Sequence, residues 1–230
     1  MKNLIKTGLV SLFSFCLVFA FGQSTRDVDN FYEVSASAGV QVQLIKADKQ
    51  KVEFKMITGD EKDLITVVKN NKLIIKIKSG MFSWNNNTKA SVKVYYTTLS
   101  GIEASSGSSI KSDELIYTSK MDVEVSSGAV ADLEIETENI DAEVSSGGRL
   151  LLEGSAETAE FEVSSGANLN ASKMVCDNVT ADASSGGRIE VHVNKKLKAD
   201  ASSGGSIRYK GTVEYTNTDS GWSGQIKRIN

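Results

Sequence analysis

Proline is absent from all 230 residues, histidine occurs once, at His192, and cysteine occurs twice, at Cys16 and Cys176. Each scarcity removes a class of explanation. Without proline, no turn rests on a ring-fixed φ and no cis-proline can pin one. A single histidine, with no His/Cys grouping at ligand spacing, leaves no zinc-type centre. Helical periodicity is also missing: apolar residues recur at every second position and nowhere at 3.6, which excludes an α-helical domain. Clustered Lys and Arg are lacking as well. Residues 24–100 carry 12 Lys/Arg and 8 Asp/Glu, and residues 101–230 carry 12 and 21. A mildly basic first part and an acidic second part, with no basic stripe, exclude nucleic acid as a partner.

Only one long apolar run exists, and it is at the start. Lys2 and Lys6 precede an apolar stretch over 7–21, and Ala20-Phe21-Gly22 sets small residues at the −3 and −1 positions. This predicts a signal peptide over 1–22 with cleavage before Gln23. The run is short for a membrane span, which needs roughly 20 apolar residues. The mature chain is therefore expected to be exported, to the periplasm, cell surface or medium, with no transmembrane segment left. Cys16 raises lipidation as an alternative, but Phe15 precedes it and apolar residues continue to Phe21. After cleavage Cys176 stands alone, so no intramolecular disulfide can form, and a buried small hydrophobe is its expected role.

What the chain has in abundance is a tripeptide. Ser-Ser-Gly recurs six times, with glycines at Gly107, Gly128, Gly147, Gly166, Gly186 and Gly204, at spacings of 21, 19, 19, 20 and 18. A fixed signature at such a period marks a stacked repeat. Alignment on these glycines places Ala104, Val125, Val144, Val163, Ala183 and Ala201 three residues before. Ile110, Ala131, Leu150, Leu169, Ile189 and Ile207 fall three after. Each repeat thus reads as strand, corner, strand, with alternate side chains inward. Glycine suits the corner because a sharp bend asks for positive φ, and paired serines could bond to neighbouring backbone. Stacked at the ordinary interstrand spacing, six coils would rise about 29 Å.

Residues 23–100 form the strand-rich first part and 101–230 the repeat solenoid with a C-terminal cap. In the first part, 40–44, 51–56, 64–68, 73–77 and 92–96 alternate as half-buried strands. Asn70-Asn71 between two of them predicts a tight hairpin. A polar loop over 79–88 carries Phe82 and Trp84, which either fold back on the strands or form a contact patch. At the far end, Gly221 lies 17 residues after Gly204 and suggests a last, degenerate turn capped by Trp222.

Three features carry a family resemblance: the opening Arg26-Asp-Val-Asp-Asn-Phe31-Tyr-Glu-Val34, the junction Val92-Lys-Val94-Tyr-Tyr-Thr-Thr-Leu99-Ser-Gly-Ile102-Glu, and the Ser-Ser-Gly series closing in Gly205-Ser-Ile207-Arg-Tyr209-Lys-Gly211. On these the chain, over about 26–215, resembles the "putative auto-transporter adhesin, head GIN domain" family. It departs from the family ending in having Val213 and no proline there. The resemblance implies an all-β fold, a right-handed parallel β-helix or solenoid-like superhelix of about 19 residues per coil. It also implies a non-enzymatic adhesin without a cofactor, whose partner is a protein or glycan at a cell surface. The runner-up is a carbohydrate-binding or polysaccharide-processing protein on the same scaffold.

Candidate site residues follow from the alignment. Four before each glycine stands a carboxylate: Glu103, Glu124, Glu143, Glu162, Asp182 and Asp200, all expected to face outward. Like charges at strand spacing repel, so the column reads either as a solvated face that discourages edge pairing or as a ladder for divalent cations or a cationic partner. Phe82, Trp84 and Trp222 complete the candidate surface. Gly221-Trp222-Ser223 begins like a nucleophile elbow, but Gln225 replaces its second glycine, and His192 has no nucleophile motif beside it. The charge split between the two halves suggests head-to-tail self-association.

Overall fold

The computed structural model describes residues 24–78 and 88–230. The proposed signal peptide, Cys16, Phe82 and Trp84 lie outside them. Seventeen strands and a single 3-10 turn, Glu61–Asp63, make up the described secondary structure. The first part contributes β1 (Ser24–Arg26), β2 (Glu33–Ser37), β3 (Gln41–Lys46), β4 (Lys51–Thr58), β5 (Leu64–Lys69), β6 (Lys72–Ile77) and β7 (Lys89–Tyr96). The five strands expected from alternation are β3 to β7, with ends that differ by at most three residues. Asn70 and Asn71 take φ of 50° and 62° and close β5 on β6 with Lys69 opposite Lys72, as the hairpin reading required.

The repeat half contributes β8 (Gly101–Ala104), β9 (Ser109–Ser112), β10 (Ile116–Val125), β11 (Val130–Val144), β12 (Arg149–Val163), β13 (Asn168–Ala183) and β14 (Arg188–Ala201), then β15 (Ser206–Lys210), β16 (Tyr215–Ser220) and β17 (Gln225–Arg228). Successive coils pair in parallel, β10 on β11, β11 on β12, and so on to β14 with β15 and β16. The protein is a β-solenoid with about 19 residues between stacked positions.

The order of coils in space differs from their order in sequence. β2 lies between β6 and β8, and β3 between β7 and β9, all parallel. The chain therefore lays down its second coil first, leaves to build the end, and returns. That end is antiparallel: β5 pairs with β6, β4 with β7, and β1 with β4. Antiparallel strands thus close this end of the parallel stack.

Inside, alternation builds continuous columns, and residue sizes compensate along them. Phe161 is fully buried with Ala142 and Ala181 as its register partners above and below, so one ring fills the space two alanines leave. A second bend, opposite the corner, appears as two adjacent residues that both face outward. In β11 these are Glu138 and Asn139, after which Ile140, Ala142 and Val144 resume the inward phase. Unequal coil lengths are taken up by bulges between the corner and that bend. The register shifts between Leu151 and Glu153, and again between Ala171 and Val175 and between Cys176 and Asn178. The Ser-Ser-Gly corners stay aligned throughout.

Candidate functional site

The corner is built from the main chain. Both its second serine and its glycine are left-handed: Ser127 and Gly128 have φ of 51° and 69°, and Ser146 and Gly147 have 49° and 71°. The Ala129 N–H donates to the Ser126 carbonyl at 3.0 Å, closing the turn, while the Gly128 N–H donates to the Ser146 carbonyl of the next coil at 3.1 Å. The same rung recurs from Gly39 to Gly186. A Cβ on Gly128 would meet nothing within 4 Å, so conformation rather than space selects glycine there. One residue later space decides. A Cβ on Gly148 would stand 2.6 Å from the Val125 carbonyl oxygen, and at the six Ser-Ser-Gly corners this slot holds Ser108, Ala129, Gly148, Ala167, Gly187 and Gly205.

The stack has more corners than the six glycines mark. Ser37-Ala38-Gly39 joins β2 to β3 with φ of 59° at Ala38 and 73° at Gly39. At the other end Ser223, φ 62°, occupies the glycine slot, and Gly221 takes the slot of the first serine, its N–H donating to the Ala201 carbonyl at 2.9 Å. The glycine reading of Gly221 is thereby corrected by two residues. Trp222 falls in the outward second slot and is 97% exposed, so it caps nothing.

The carboxylate column is in register. Glu103, Glu124, Glu143, Glu162, Asp182 and Asp200 are consecutive ladder partners, and Asp219 extends the line. A second column two residues earlier adds Asp122, Asp141 and Glu160. Lys72 bridges Glu33 at 3.1 Å and Glu103 at 3.3 Å at one end, and Lys120 holds Asp122 at 2.9 Å. Glu124, Glu143, Glu162, Asp182 and Asp200 have no ion-pair partner among the described residues. Partial burial, and then the carboxylates of Asp182, Glu143, Glu160 and Asp141, push the Glu162 pKa above its ordinary value. Shallow hollows of about 350 Å³ and 120 Å³ run along the column. Among the described residues, no group of three or more His, Cys, Asp and Glu side chains converges as metal ligands. The strands that follow the corners carry paired charges instead, such as Lys173 with Glu153 at 2.6 Å and Arg208 with Glu190 at 3.6 Å.

A further hollow lies where the alignment did not reach, at the second bend. Tyr117, 64% exposed, stands at the head of an open groove of about 700 Å³ with Glu136, Glu138, Ser155, Glu157 and Val175. Tyr117, Glu136, Ser155 and Val175 each stand eleven residues before a corner glycine, outside the three- and four-residue offsets that mark the repeat. His192 is half-buried, and burial, then Lys210, lower its pKa. Cys176 is buried, and burial followed by Asp177 pushes its thiol up to about 12, so the thiolate needed for reactivity is not formed near neutrality.

Residues 30–212 match the family described as putative auto-transporter adhesin, head GIN domain. The chain belongs to that family. Solved structures share this fold at low identity. A putative adhesin from Bacteroides fragilis is 20% identical with a TM-score of 0.78, covering 90% of this chain and 96% of that one. A putative adhesin from Parabacteroides merdae is 15% identical with a TM-score of 0.74, covering 92% and 98%. A third, from Parabacteroides distasonis, is 20% identical with a TM-score of 0.71, covering 90% and 96%. No match is found among curated proteins. No helix of the described residues is long and apolar enough to cross a membrane.

Proposed function

We propose that this head GIN domain is a non-enzymatic, exported adhesin-like protein that presents the side of its stack to a partner at the cell surface or in the periplasm. The observation that carries this reading is the carboxylate face, which repeats the same chemistry coil after coil and is without ion-pair partners among the described residues from Glu124 to Asp200. A catalytic centre concentrates distinct groups at one place; this face distributes one group along a length. Uncompensated negative charge on a rigid ladder favours a cationic protein surface, and such contact weakens with salt. The adhesin description of the family supports the same role, and residues 1–22 supply the export signal.

A second reading, glycan binding, is favoured by Tyr117 above a groove lined with carboxylates and hydroxyls, since an exposed ring offers a sugar an apolar face while acceptors hold its hydroxyls. One experiment addresses both. The exported protein, with its N-terminus at Gln23, is applied to a glycan array and, on beads, to cell surfaces at low and high salt. Salt-sensitive adherence lost in E124K/E143K/E162K supports the first reading. Array signals lost in Y117A support the second. Binding in neither format rejects both.

A further inference from the structure

We infer that the C-terminal end of the solenoid is a self-association surface, where two copies pair edge to edge about a two-fold axis. The two ends of the stack are treated very differently. At the N-terminal end β1 covers β4, and the Arg26 guanidinium plugs the neighbouring edge. It donates to the Leu64 carbonyl at 2.8 Å, to Thr66 Oγ1 at 2.9 Å and to the Glu61 carbonyl at 3.3 Å, and lies 4.4 Å from the centre of the Phe54 ring. An incoming strand finds that carbonyl already bonded and a charge beside it.

At the C-terminal end the comparable contact is confined to β17, where the Arg228 guanidinium donates to the Gly211 carbonyl at 2.8 Å, and β16 has none among the described residues. β16 pairs with β14 and β17 with β15, each on one side only. All six residues of β16 are exposed. The strand holds no lysine, arginine or proline, the residues natural edges use to repel pairing. Thr216, Thr218 and Ser220 stand directly beyond the buried Leu197, Ala199 and Ala201, so the core ends there in exposed hydroxyls. Tyr215, 60% exposed, and Trp222 stand at either end of the strand.

The occupant this edge fits is a second copy of the same edge. An isologous interface must be complementary to itself. Here the acidic Asp219 sits on one edge strand and the exposed Lys227 on the other, so a two-fold that lays β16 along the partner's β17 sets opposite charges together. Head-to-tail addition, which the charge split between the halves suggests, would need the edge that β1 and Arg26 protect. The product is therefore a closed dimer rather than a fibre.

Sedimentation velocity on residues 23–230 over a wide concentration range tests this. A monomer–dimer equilibrium with no larger species is expected. D219K should raise the dissociation constant at least about tenfold, and D219K/K227E should restore it, a loss of roughly one decade in affinity being what one interfacial charge pair supplies. Hydrogen exchange on the unaltered chain gives an independent readout: amides of 215–228 should gain protection with concentration while those of 24–26 and 64–69 do not. A monomer at every concentration, a dimer indifferent to D219K, or protection appearing at β1 and β5 would each overturn the proposal.

Discussion

Tyr96 is 1% exposed, and its hydroxyl has no hydrogen-bond partner among the described residues, while the Lys46 ammonium lies 5.5 Å from the ring centre. Burial, and then the Glu114 carboxylate, push its pKa up to about 12. Because the folded value exceeds that of the unfolded chain, the protonated phenol's contribution to stability is complete below about pH 10 and is lost as pH rises towards 12. Tyr96→Phe should therefore raise stability near neutrality by about 1 kcal/mol, by deleting an unsatisfied buried group, and flatten the alkaline limb of the stability curve. Urea unfolding at pH 7 and above pH 10 checks both, and an unchanged alkaline limb would count against the assignment. Cys176, whose thiol is also pushed up to about 12, leaves a residual slope in that variant. At this scale the sequence is legible where chemistry is exclusive. A repeated glycine announces positive φ. The serine before it, equally left-handed, does not, because serine populates turns of many kinds.

Strands and their corners were readable wherever alternation was unbroken, and β3 to β7 and the Asn70-Asn71 hairpin are cases in point. Ser37-Ala38-Gly39 was not, since alanine replaces the second serine and 65 residues separate Gly39 from Ser105, the start of the next corner. The interleaving of β2 between β6 and β8 has no local signature at all: it depends on pairings between distant segments. At the scale of elements the most exposed dependency is Arg26. Its hydrogen bonds tie β1 to β5, two strands that do not pair with each other. Arg26→Ala should cost about 1–2 kcal/mol, the range for hydrogen bonds to a charged group with part of the benefit lost to solvent. The loss should be local. Hydrogen exchange should accelerate over 64–69 and remain unchanged over 130–144, and uniform acceleration would sink the idea of a local plug.

For the molecule as a whole, the charge face sets a bias against its own folding. Glu162 has a folded pKa raised by partial burial and by the carboxylates around it. A raised carboxylate is destabilising when ionised, so its contribution is favourable below the ordinary carboxylate range and lost as pH rises through the folded value. Glu162→Gln should raise Tm at pH 7, and the gain should vanish in acid. Added salt should narrow the difference by screening. Thermal melts of both proteins at pH 7 and pH 3.5, with and without salt, decide it; an equal Tm at pH 7 would mean the carboxylates do not interact. The column was legible in the sequence because repeats convert spacing into contact. The Tyr117 groove was not, because Tyr117, Glu136, Ser155 and Val175, though in register, lie eleven residues before the next corner glycine and share no residue type.

That tolerance of unequal coils has an evolutionary corollary. A tandem duplication or deletion of one repeat in the gene would add or remove a rung of about 4.8 Å and leave both terminal structures as they were. Height is thus set by copy number, independently of what the ends and the sides are selected to do. A lineage can adjust how far such a protein reaches without reinventing how it starts or stops.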